Sequence, residues 1–476
     1  MSGKIAFLGL GAMGFGMATN LIKKGFHVTG FDVYAPTLER FTAAGGHTSS
    51  TPKGTVIDAQ YVVFMVATAA QILTALFDDD SGAIHSLGKG ATVILSSTGP
   101  PEHVPLVRKL LDEKYGRQDI ELVDAPVSGG TIRAANGTLT ILAAGPESAI
   151  AAAKPVLDAM AGENLYIIPG GLGAGTNVKM VHQVLAGIHI TMTSEAMGFA
   201  AALGLNTKQA FEILRKGRGS SWMFENRTPH MLVQDKTVYS ALNIIVKDIV
   251  SNSHPSNGLS LFHSELCLDT RYISCFCKQG IVTSGGRSAN FPLFLSSTTE
   301  QVLAAGVSAG LGLIDDAALV GVYLPQSPSA ILKLASSPAT FAADDSKILL
   351  VEKIMAGVHL AAAAEAMSLG VKVGLEAKKL FEIISTAAGS SAMFVEGATQ
   401  LLSGVWKEGS SVDDVIAELT EAVEEAHKLK YPLHLTGTAL QLFELAKLKG
   451  LGKEPGIAVS KVWDSVDGPY FPRAQV

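Results

Sequence analysis

Three side chains that can exchange protons or hydrogen bonds are spaced to share one face of a helix. Lys179, His182 and Gln183 lie in Gly173-Ala-Gly-Thr-Asn-Val-Lys-Met-Val-His-Gln183, where glycines precede an apolar run. Residues three and four positions apart are neighbours on a helix surface, which places His182 and Gln183 beside Lys179. A lysine on an apolar helix either extends its ammonium to the surface or uses a shifted pKa in proton transfer. The residues alone leave both interpretations open.

A second segment, Asp124-Ala-Pro-Val-Ser-Gly-Gly130, has the composition of an anion-binding loop. It follows a predicted strand at Ile120 to Val123. Because Gly129 and Gly130 directly follow Ser128, exposed backbone N–H groups are expected there. Such a loop can hold a carboxylate.

The elements that would position these groups begin at the amino terminus. A short apolar run at Lys4 to Leu8 predicts a strand, and Gly9-Leu-Gly-Ala-Met-Gly14 then opens a stretch with helical spacing. In such a turn the first glycine allows the tight bend, the second lets the backbone approach a pyrophosphate, and the third allows close packing of helix and strand. The amino end of the helix supplies N–H groups for the phosphates. The predicted cofactor contacts are Gly9, Gly11, Ala12, Met13 and Gly14.

An acidic residue follows the second predicted strand, His27 to Phe31. Asp32 is placed where a carboxylate accepts hydrogen bonds from both ribose hydroxyls of an adenosine. The same carboxylate would repel a 2′-phosphate, so Asp32 favours NAD over NADP, although Arg40 lies nearby. A glycine-rich turn with an incidental aspartate is the alternative. The order of strand, glycines, helix, strand and acid favours the cofactor site.

Further strands are predicted at Tyr61 to Val66 and at Ala91 to Leu95, and the second runs into Ser96-Ser-Thr-Gly99. Open α/β sheets bind ligands at the carboxyl ends of their strands, which makes Thr98 a candidate cofactor contact. The alternative is that these hydroxyls only cap the next helix.

Length and composition exclude several classes of protein. The 476 residues suffice for roughly three domains. With 47% hydrophobic and 17% charged residues, the composition is that of a compact globular protein. The net charge of −6 offers no basic surface for nucleic acid or an anionic membrane. The absence of an uninterrupted apolar run of about 18 residues and of a signal-peptide pattern, with an odd cysteine count, predicts a cytoplasmic protein.

Four motifs in order resemble the β-hydroxyacid dehydrogenase family, which includes 3-hydroxyisobutyrate, tartronate-semialdehyde and threonate dehydrogenases. These motifs are Gly9–Gly14, Asp124–Gly130 with Gly137-Thr-Leu-Thr140, Gly173–Lys179, and Lys247-Asp248. The resemblance covers about residues 1–330 and implies hydride transfer between a small hydroxy acid and NAD. No metal is implied.

The resemblance also implies roles for single residues. Lys179 would be the general acid/base on the substrate hydroxyl, its pKa lowered by apolar surroundings and by the charge of Lys247. Ser128, Gly129 and Gly130 would hold the substrate carboxylate. Lys247 would close over the site as a cofactor contact.

Two neighbours of Lys179 concern substrate choice. Gln183 replaces the usual asparagine of the family and can donate the same amide hydrogen bond with one more methylene of reach. His182 is either a second substrate contact, which we favour, or a helix-face histidine bonded to a backbone carbonyl. The pair is most similar to the threonate-type branch, whose polyhydroxy acids need extra hydrogen-bonding partners.

Other functions fit part of the sequence. Lys179-Met-Val-His182 resembles the catalytic helix of 6-phosphogluconate dehydrogenase, but Asp124-Ala-Pro and Gly137-Thr-Leu speak against that enzyme. Glyoxylate or semialdehyde reduction is disfavoured by Asp32, because such reductases generally use NADPH. A catalytically silent NAD-binding scaffold is disfavoured by the retained Lys179.

The helical region is duplicated. Gln183–His189 matches Lys353–His359 and Gly219–Phe224 matches Gly389–Phe394, both at an offset of 170. Later matches, such as Phe291-Pro-Leu with Tyr431-Pro-Leu, have an offset of 140. Thirty residues have therefore been gained by the first copy or lost by the second.

The surplus is predicted at Val250 to Gln279, which lacks helical periodicity and contains Cys267, Cys275 and Cys277. Its ends can be encoded by splice-site-like sequences, so we interpret it as a translated, unspliced intron. The alternative is a genuine surface loop, although long structureless loops inside compact domains are uncommon.

The sequence thus predicts a Rossmann-like α/β domain at residues 1–170, an all-helical domain at 171–335 and a duplicated all-helical domain at 340–476. The second copy has Leu349 and Ala417 at the positions of Lys179 and Lys247, and no glycine fingerprint. We therefore expect it to be structural. It would form an intramolecular pseudo-dimer with the first copy, unless the chain forms a homo-oligomer.

Overall fold

The computed structural model contains two compact units. The described residues are 3–233, 237–249, 280–327, 329–338, 340–343, 345–406, 409–464 and 468–472. The first unit comprises the described residues up to Lys179, with Gly280 and Ile281. The second comprises the described residues from Met180 to Ile249 and from Val282 onwards. The segment predicted as an insert, 250–279, lies outside the described residues with all three cysteines.

The first unit is built on a six-stranded parallel sheet of order β3-β2-β1-β4-β5-β6. Its strands are β1 (Lys4–Leu8), β2 (His27–Phe31), β3 (His47–Thr48), β4 (Tyr61–Phe64), β5 (Thr92–Leu95) and β6 (Glu121–Asp124). The strands β4 and β5 are buried along their whole length, which explains their continuous apolar sequences. The strand order reverses beside β1, which pairs with both β2 and β4. Sheets of this kind bind ligands at that reversal, at the carboxyl ends of the strands.

Helices cover both faces of this sheet. They are α1 (Gly14–Lys23), α2 (Ala35–Ala43), α3 (Pro52–Thr55), α4 (Ala69–Phe77), α5 (His103–Lys109), α6 (Gly130–Asn136) and α7 (Glu147–Ala161). Alternate residues of β1 enter two separate cores, Ile5 and Phe7 on one side and Ala6 and Leu8 on the other. A small second sheet contains β7 (Val127–Ser128), β8 (Thr140–Ala143) and β9 (Leu165–Ile167). The predicted α/β fold is confirmed.

The sequence located the strands well and their ends less well. The predicted bounds of β1 and β2 are those of the structure. In contrast, β4 ends at Phe64, two residues before the predicted Val66. Apolar side chains continue past the last residue of β4 that is paired with β1, so composition alone does not mark the end of the strand.

The second unit is all-helical. Its first copy contains α8 (Ala174–Ala202, which starts in the first unit), α9 (Thr207–Leu214), α10 (Trp222–Met231), α11 (Leu242–Ile249), α12 (Ile281–Ser288), α13 (Phe294–Ser308), α14 (Val320–Tyr323) and α15 (Ala330–Ala335). Its second copy contains α16 (Ser346–Lys372), α17 (Ala377–Ile384), α18 (Ala392–Ser403), α19 (Val412–Leu429) and α20 (His434–Ala446). The regions predicted as two helical domains therefore belong to one compact unit.

The two copies meet at equivalent positions. The rings of His189 and His359 lie 4.2 Å apart between centroids. Ser221 and Ser391 form an antiparallel bridge. Both pairs differ by the repeat offset of 170, so the copies pack against each other around an approximate two-fold axis.

Each copy also caps a helix of the other. Glu365 on α16 accepts the N–H groups of Leu295 and Ser296, at 2.9 and 3.0 Å, where α13 begins. Glu195 on α8 accepts the two corresponding N–H groups of α20, at the same distances. Both carboxyls are fully buried, and burial raises the pKa of each. Removing either copy would leave one of these carboxylates without its partners and one helix start uncapped.

Within the described part of the chain, α16 is the one helix long and apolar enough to cross a membrane. The protein itself buries 94% of its apolar window. Because the apolar surface is covered by the rest of the unit, α16 has the surroundings of a core helix.

Candidate active site

The turn between β1 and α1 leaves room for a pyrophosphate. Gly9 has a φ of +98° and donates its N–H to the Phe31 carbonyl at 2.9 Å. A Cβ on Gly14 would lie 1.9 Å from the Gly9 carbonyl oxygen, so this close approach of helix and strand requires glycine. A Cβ on Gly11 would meet no atom within 4 Å, and Gly11 and Ala12 are exposed. The residues present fit a dinucleotide phosphate at the start of α1, directly after Met13.

Asp32 ties the end of β2 to this turn. Its Oδ2 accepts the Leu10 N–H at 2.8 Å, and its Oδ1 accepts the Tyr34 N–H at 2.9 Å. A carboxylate has about four acceptor sites, so these two bonds leave capacity for ribose hydroxyls. The Arg40 guanidinium lies 4.6 Å from the centroid of the Phe15 ring, over its face. The geometry agrees with an NAD site in which Asp32 binds the ribose.

Thr98 lies at the carboxyl end of β5 and is half-buried. The alternative role considered for it, capping the next helix, does not occur, because α5 begins at His103 and its N-cap is Glu102. Its contact with the cofactor remains a prediction.

The Ser-Gly-Gly loop has the predicted exposed glycines. Ser128 ends β7 and is half-buried, whereas Gly129 and Gly130 are exposed. Their φ values of +135° and +70° lie in the region that favours glycine, so other residues would be strained here. That this loop holds a substrate carboxylate remains a prediction.

A carboxylate from the sheet fixes the start of α8. Asp124, the last residue of β6, accepts the Thr176 N–H and the Thr176 hydroxyl, both at 2.7 Å. A Cβ on Gly175 would lie 2.2 Å from the Leu142 carbonyl oxygen, so glycine lets α8 start against β8. Burial raises the pKa of the Asp124 carboxyl to about 6, against the hydrogen bonds from Thr176 that lower it. The sequence marked Asp124 as part of a motif but gave it no role, because nothing local shows which helix it caps.

Lys179 follows three residues after Thr176 on the same helix. Only 7% of its surface is exposed. A lysine that extended its ammonium into water would be far more exposed. The structure therefore argues against the surface interpretation of Lys179 and agrees with a group held for proton transfer.

His182, Gln183, Asp248 and Lys247 form a chain of hydrogen bonds in the second unit. His182 Nδ1 lies 3.0 Å from Gln183 Oε1, and Gln183 Nε2 donates to Asp248 Oδ2 at 2.6 Å. Lys247 Nζ donates to the other carboxylate oxygen of Asp248. His182 Nε2 accepts the backbone N–H of Gly389, in the second copy, at 3.1 Å. Asp248 and Gly389 are parts of this arrangement to which the sequence gave no role.

The environment of His182 bears on its two proposed roles. His182 and Gln183 are both buried. The Gly389 contact shows a backbone partner, but it is an N–H donor rather than the carbonyl considered from the sequence. A direct substrate contact from His182 stays a prediction, and a ring nitrogen would have to exchange one of these partners to make it.

Two protein-family models match this chain. The family model described as the NAD binding domain of 6-phosphogluconate dehydrogenase matches residues 4–170. The model described as NAD-binding of NADP-dependent 3-hydroxyisobutyrate dehydrogenase matches residues 173–261 and again 346–463. The second model thus finds both helical copies.

The chain is 35% identical over 323 residues to L-threonate dehydrogenase of Cupriavidus necator, which covers 68% of this chain and 97% of that protein. The crystal structure of 3-hydroxyisobutyrate dehydrogenase from Salmonella typhimurium is 32% identical, with a TM-score of 0.55, and covers 68% of this chain and 100% of its own. The 6-phosphogluconate dehydrogenase of Plasmodium falciparum is similar in fold, with 16% identity and a TM-score of 0.61, over 94% of this chain and 92% of its own.

Proposed function

The chain belongs to the β-hydroxyacid dehydrogenase family and is an NAD-dependent oxidoreductase acting on the CH–OH group of a hydroxy acid; from this premise we propose that Lys179 transfers the proton of that reaction. The observation that carries the proposal is a buried lysine on a helix whose start is fixed by Asp124. A general acid/base must be held within hydrogen-bond reach of the group it serves, and a pinned helix start provides that constraint.

In the oxidation direction, the hydroxy acid loses one hydride and one proton. In oxidation the carbinol C–H bond breaks and its hydride is accepted by the nicotinamide that NAD supplies when bound. The hydroxyl proton passes to the neutral Nζ of Lys179, and a C=O bond forms. In reduction the Lys179 ammonium returns that proton to the oxygen.

Other residues bind and orient the reactants in this proposal. Ser128, Gly129 and Gly130 hold the substrate carboxylate, while the Gln183 amide donates a hydrogen bond to a substrate oxygen. The cofactor contacts are Gly9, Gly11, Ala12, Met13, Gly14, Asp32, Thr98 and Lys247. Asp32 makes NAD the preferred cofactor over NADP, because its carboxylate would repel a 2′-phosphate.

We propose a polyhydroxy acid of the threonate type as substrate. The relative from Cupriavidus necator at 35% identity is an L-threonate dehydrogenase. The polar pair His182-Gln183 favours such a substrate, because the Gln183 amide adds a hydrogen-bonding group that an acid with several hydroxyls requires. The likeness to 6-phosphogluconate dehydrogenase concerns the fold. The relatives fit a hydroxy-acid dehydrogenase better than they fit a 6-phosphogluconate dehydrogenase, a semialdehyde reductase or a silent scaffold.

NADH absorbance with a panel of acids tests this proposal. L-Threonate, 3-hydroxyisobutyrate and 6-phosphogluconate are each offered with NAD and with NADP. We expect turnover of L-threonate with NAD, and loss of that turnover in Lys179→Ala with NAD affinity unchanged. Turnover of 6-phosphogluconate alone, or full activity of Lys179→Ala, would refute the assignment.

We further propose that residues 340–476 replace a second subunit, so that the helical region at 171–335 is completed within one chain. The equivalent contacts around His189 and His359 and the exchanged caps at Glu195 and Glu365 support this. A chain truncated before residue 340 should be insoluble or should self-associate. A soluble, active and monomeric truncated chain would contradict the proposal.

We also propose a cellular location for the enzyme and an origin for residues 250–279. The enzyme acts in the cytoplasm, and residues 250–279 derive from a retained intron. The intact mass of the protein from its native source tests the second statement, because a chain without the thirty residues is lighter by their mass. A native protein that contains them shows instead that they are a genuine loop.

A further inference from the structure

A backbone amide of the second helical copy contacts the side chain of His182, next to Gln183. Gly389, in the second copy, donates its backbone N–H to Nε2 of the buried His182 at 3.1 Å. His182 Nδ1 faces Gln183 Oε1 at 3.0 Å, and Gln183 Nε2 lies 2.6 Å from Asp248 Oδ2. A backbone amide of one copy is thereby connected to the Gln183 amide of the other.

This chain of hydrogen bonds has only one self-consistent direction. A neutral imidazole has one N–H donor and one acceptor nitrogen. Because the Gly389 N–H can only donate, Nε2 of His182 is the acceptor and Nδ1 carries the proton. Nδ1–H then donates to Gln183 Oε1, which leaves the amide nitrogen of Gln183 to donate to the Asp248 carboxylate. The opposite tautomer would place N–H against N–H at Gly389 and oxygen against oxygen at Asp248.

The direction determines what Gln183 offers to a ligand. A primary amide nitrogen carries two N–H groups, and Asp248 accepts one of them. His182 uses one lone pair of Oε1 and fixes the orientation of the amide, which then presents its second N–H as a donor. A donor is what a hydroxyl or carbonyl oxygen of a hydroxy acid requires.

We infer that His182 is a positioning residue, which uses the Gly389 N–H of the second copy to fix the Gln183 amide as a hydrogen-bond donor to the substrate. The inference rests on the proposed function of Gln183 as a substrate contact. It assigns His182 an indirect role in place of direct substrate binding. It also gives the second copy a part in substrate recognition.

The equivalent residues of the other half make different contacts. There Glu352 takes the position of His182 and accepts the backbone N–H of Arg218 at 2.9 Å. Lys353 takes the position of Gln183 and pairs with Glu421 instead. A carboxylate accepts in any orientation, so this contact holds the copies together without directing a neighbour.

Three variants of His182 separate the donor from the acceptor. In His182→Asn, the amide nitrogen takes the place of Nδ1 and can donate to Gln183. In His182→Gln, the amide oxygen takes the place of Nε2 and can accept from Gly389, but the donor to Gln183 is lost. His182→Leu loses both, and Glu352→Gln is the matched control in the half without catalytic lysines.

Steady-state kinetics with L-threonate and NAD give the first readout. For His182→Leu and His182→Gln we expect kcat/KM for L-threonate to fall roughly tenfold or more, with the Kd for NAD unchanged. His182→Asn keeps the donor to Gln183 but loses the acceptor for Gly389, so its kcat/KM should lie between those of His182→Gln and wild type, whereas Glu352→Gln should stay within about threefold of wild type. If His182→Gln keeps full activity while His182→Asn loses it, or if Glu352→Gln loses as much as His182→Leu, the inference is wrong.

A spectroscopic readout separates this inference from the proposed function. NMR spectra of protein with 15N-labelled histidine distinguish the two tautomers of His182 by the shifts of its ring nitrogens. The signals of His182 are assigned by their loss in His182→Asn. A proton on Nδ1 with an unprotonated Nε2 supports the inference, and a proton on Nε2 overturns it. This result stands even if L-threonate and every other acid of the panel fail as substrates, in which case only the proposed function falls.

Discussion

The helices α8 and α16 are copies of one sequence that start in different ways. Asp345 caps α16 from the residue just before it, by accepting the Lys347 N–H at 2.9 Å. The start of α8 is instead held by Asp124 at the end of β6. A local cap stabilises a helix, whereas a cap from the sheet also fixes where the helix lies, and Lys179 is found on the helix held in this second way.

The side chains near the starts of α8 and α16 also make different contacts in the two copies. In the first copy, His182, Gln183 and Asp248 form a buried and directed chain of hydrogen bonds. In the second, Glu352 accepts the backbone N–H of Arg218, Lys353 forms an ion pair with Glu421, and Leu349 is 36% exposed. The duplication therefore kept the packing pattern and lost the groups that could do chemistry. Packing needs only apolar residues at the right period, whereas proton transfer needs particular groups at particular places.

The largest expected effect comes from making the first copy like the second at its lysine. Lys179→Leu should lower kcat for L-threonate by about 10³-fold, because the general acid/base is removed while an apolar side chain fills the buried site. NADH formation measures the rate, and protein fluorescence measures NAD binding.

Leu349→Ala, at the equivalent position of the second copy, is the control. We expect its kcat to match that of wild type. Equal losses in both variants would mean that Lys179 contributes only to folding.

Because Glu365 and Glu195 each cap a helix of the other copy, a substitution in one copy should destabilise a helix of the other. Glu365→Gln and Glu195→Gln should each lower the free energy of unfolding by about 1–3 kcal/mol, because an amide N–H would face a buried backbone N–H. Hydrogen exchange should rise at the start of α13 in Glu365→Gln and at the start of α20 in Glu195→Gln. If exchange rises within the mutated copy instead, the two copies do not cap each other.

The histidine pair between the copies predicts acid sensitivity. Burial lowers the pKa of His359 to about 3 and that of His189 well below its usual range. Both are neutral in the folded state while the unfolded chain takes up protons below about pH 6.5, so stability present above that pH is lost as the pH falls toward 3. For His359 the loss between pH 7 and pH 5 is about 2 kcal/mol.

Urea unfolding of wild type and His359→Leu at both pH values measures this difference. The buried carboxyls of Glu195 and Glu365, whose raised pKa values act with the opposite sign, are present in both proteins and cancel in the comparison. We expect a weaker pH dependence in His359→Leu. The same pH dependence in both proteins would show that His359 does not cause it.

The smallest effect on activity is expected for substitution of Lys247. Lys247→Ala, which copies Ala417, should raise KM for NAD by about tenfold or less, since the side chain is 37% exposed and its charge is partly screened. Ala417→Lys places the same charge in the second copy and should leave KM unchanged. An unchanged KM for NAD in Lys247→Ala would remove Lys247 from the cofactor contacts.

Much of this arrangement was predictable from local patterns. The Gly9–Gly14 turn and Asp32 stand in strand, turn and helix contexts that span few residues, and their predicted positions agree with the structure. The duplication was predictable because apolar spacing repeats along the chain. In contrast, the partners of Asp124 and His182 lie 52 and 207 positions away, at Thr176 and Gly389. No local pattern encodes such pairings.

Local patterns along the chain were enough to predict the sheet with its nucleotide-binding turn, the repeat of the helical region and the lysine that the second copy lacks. The folded chain is needed to see that Lys179 is buried, that Asp124 caps its helix, and that the backbone N–H of Gly389 in the second copy donates to His182. The physical reason is that periodicity and turn chemistry act over a few residues, whereas burial and hydrogen-bond direction arise when distant segments are packed together.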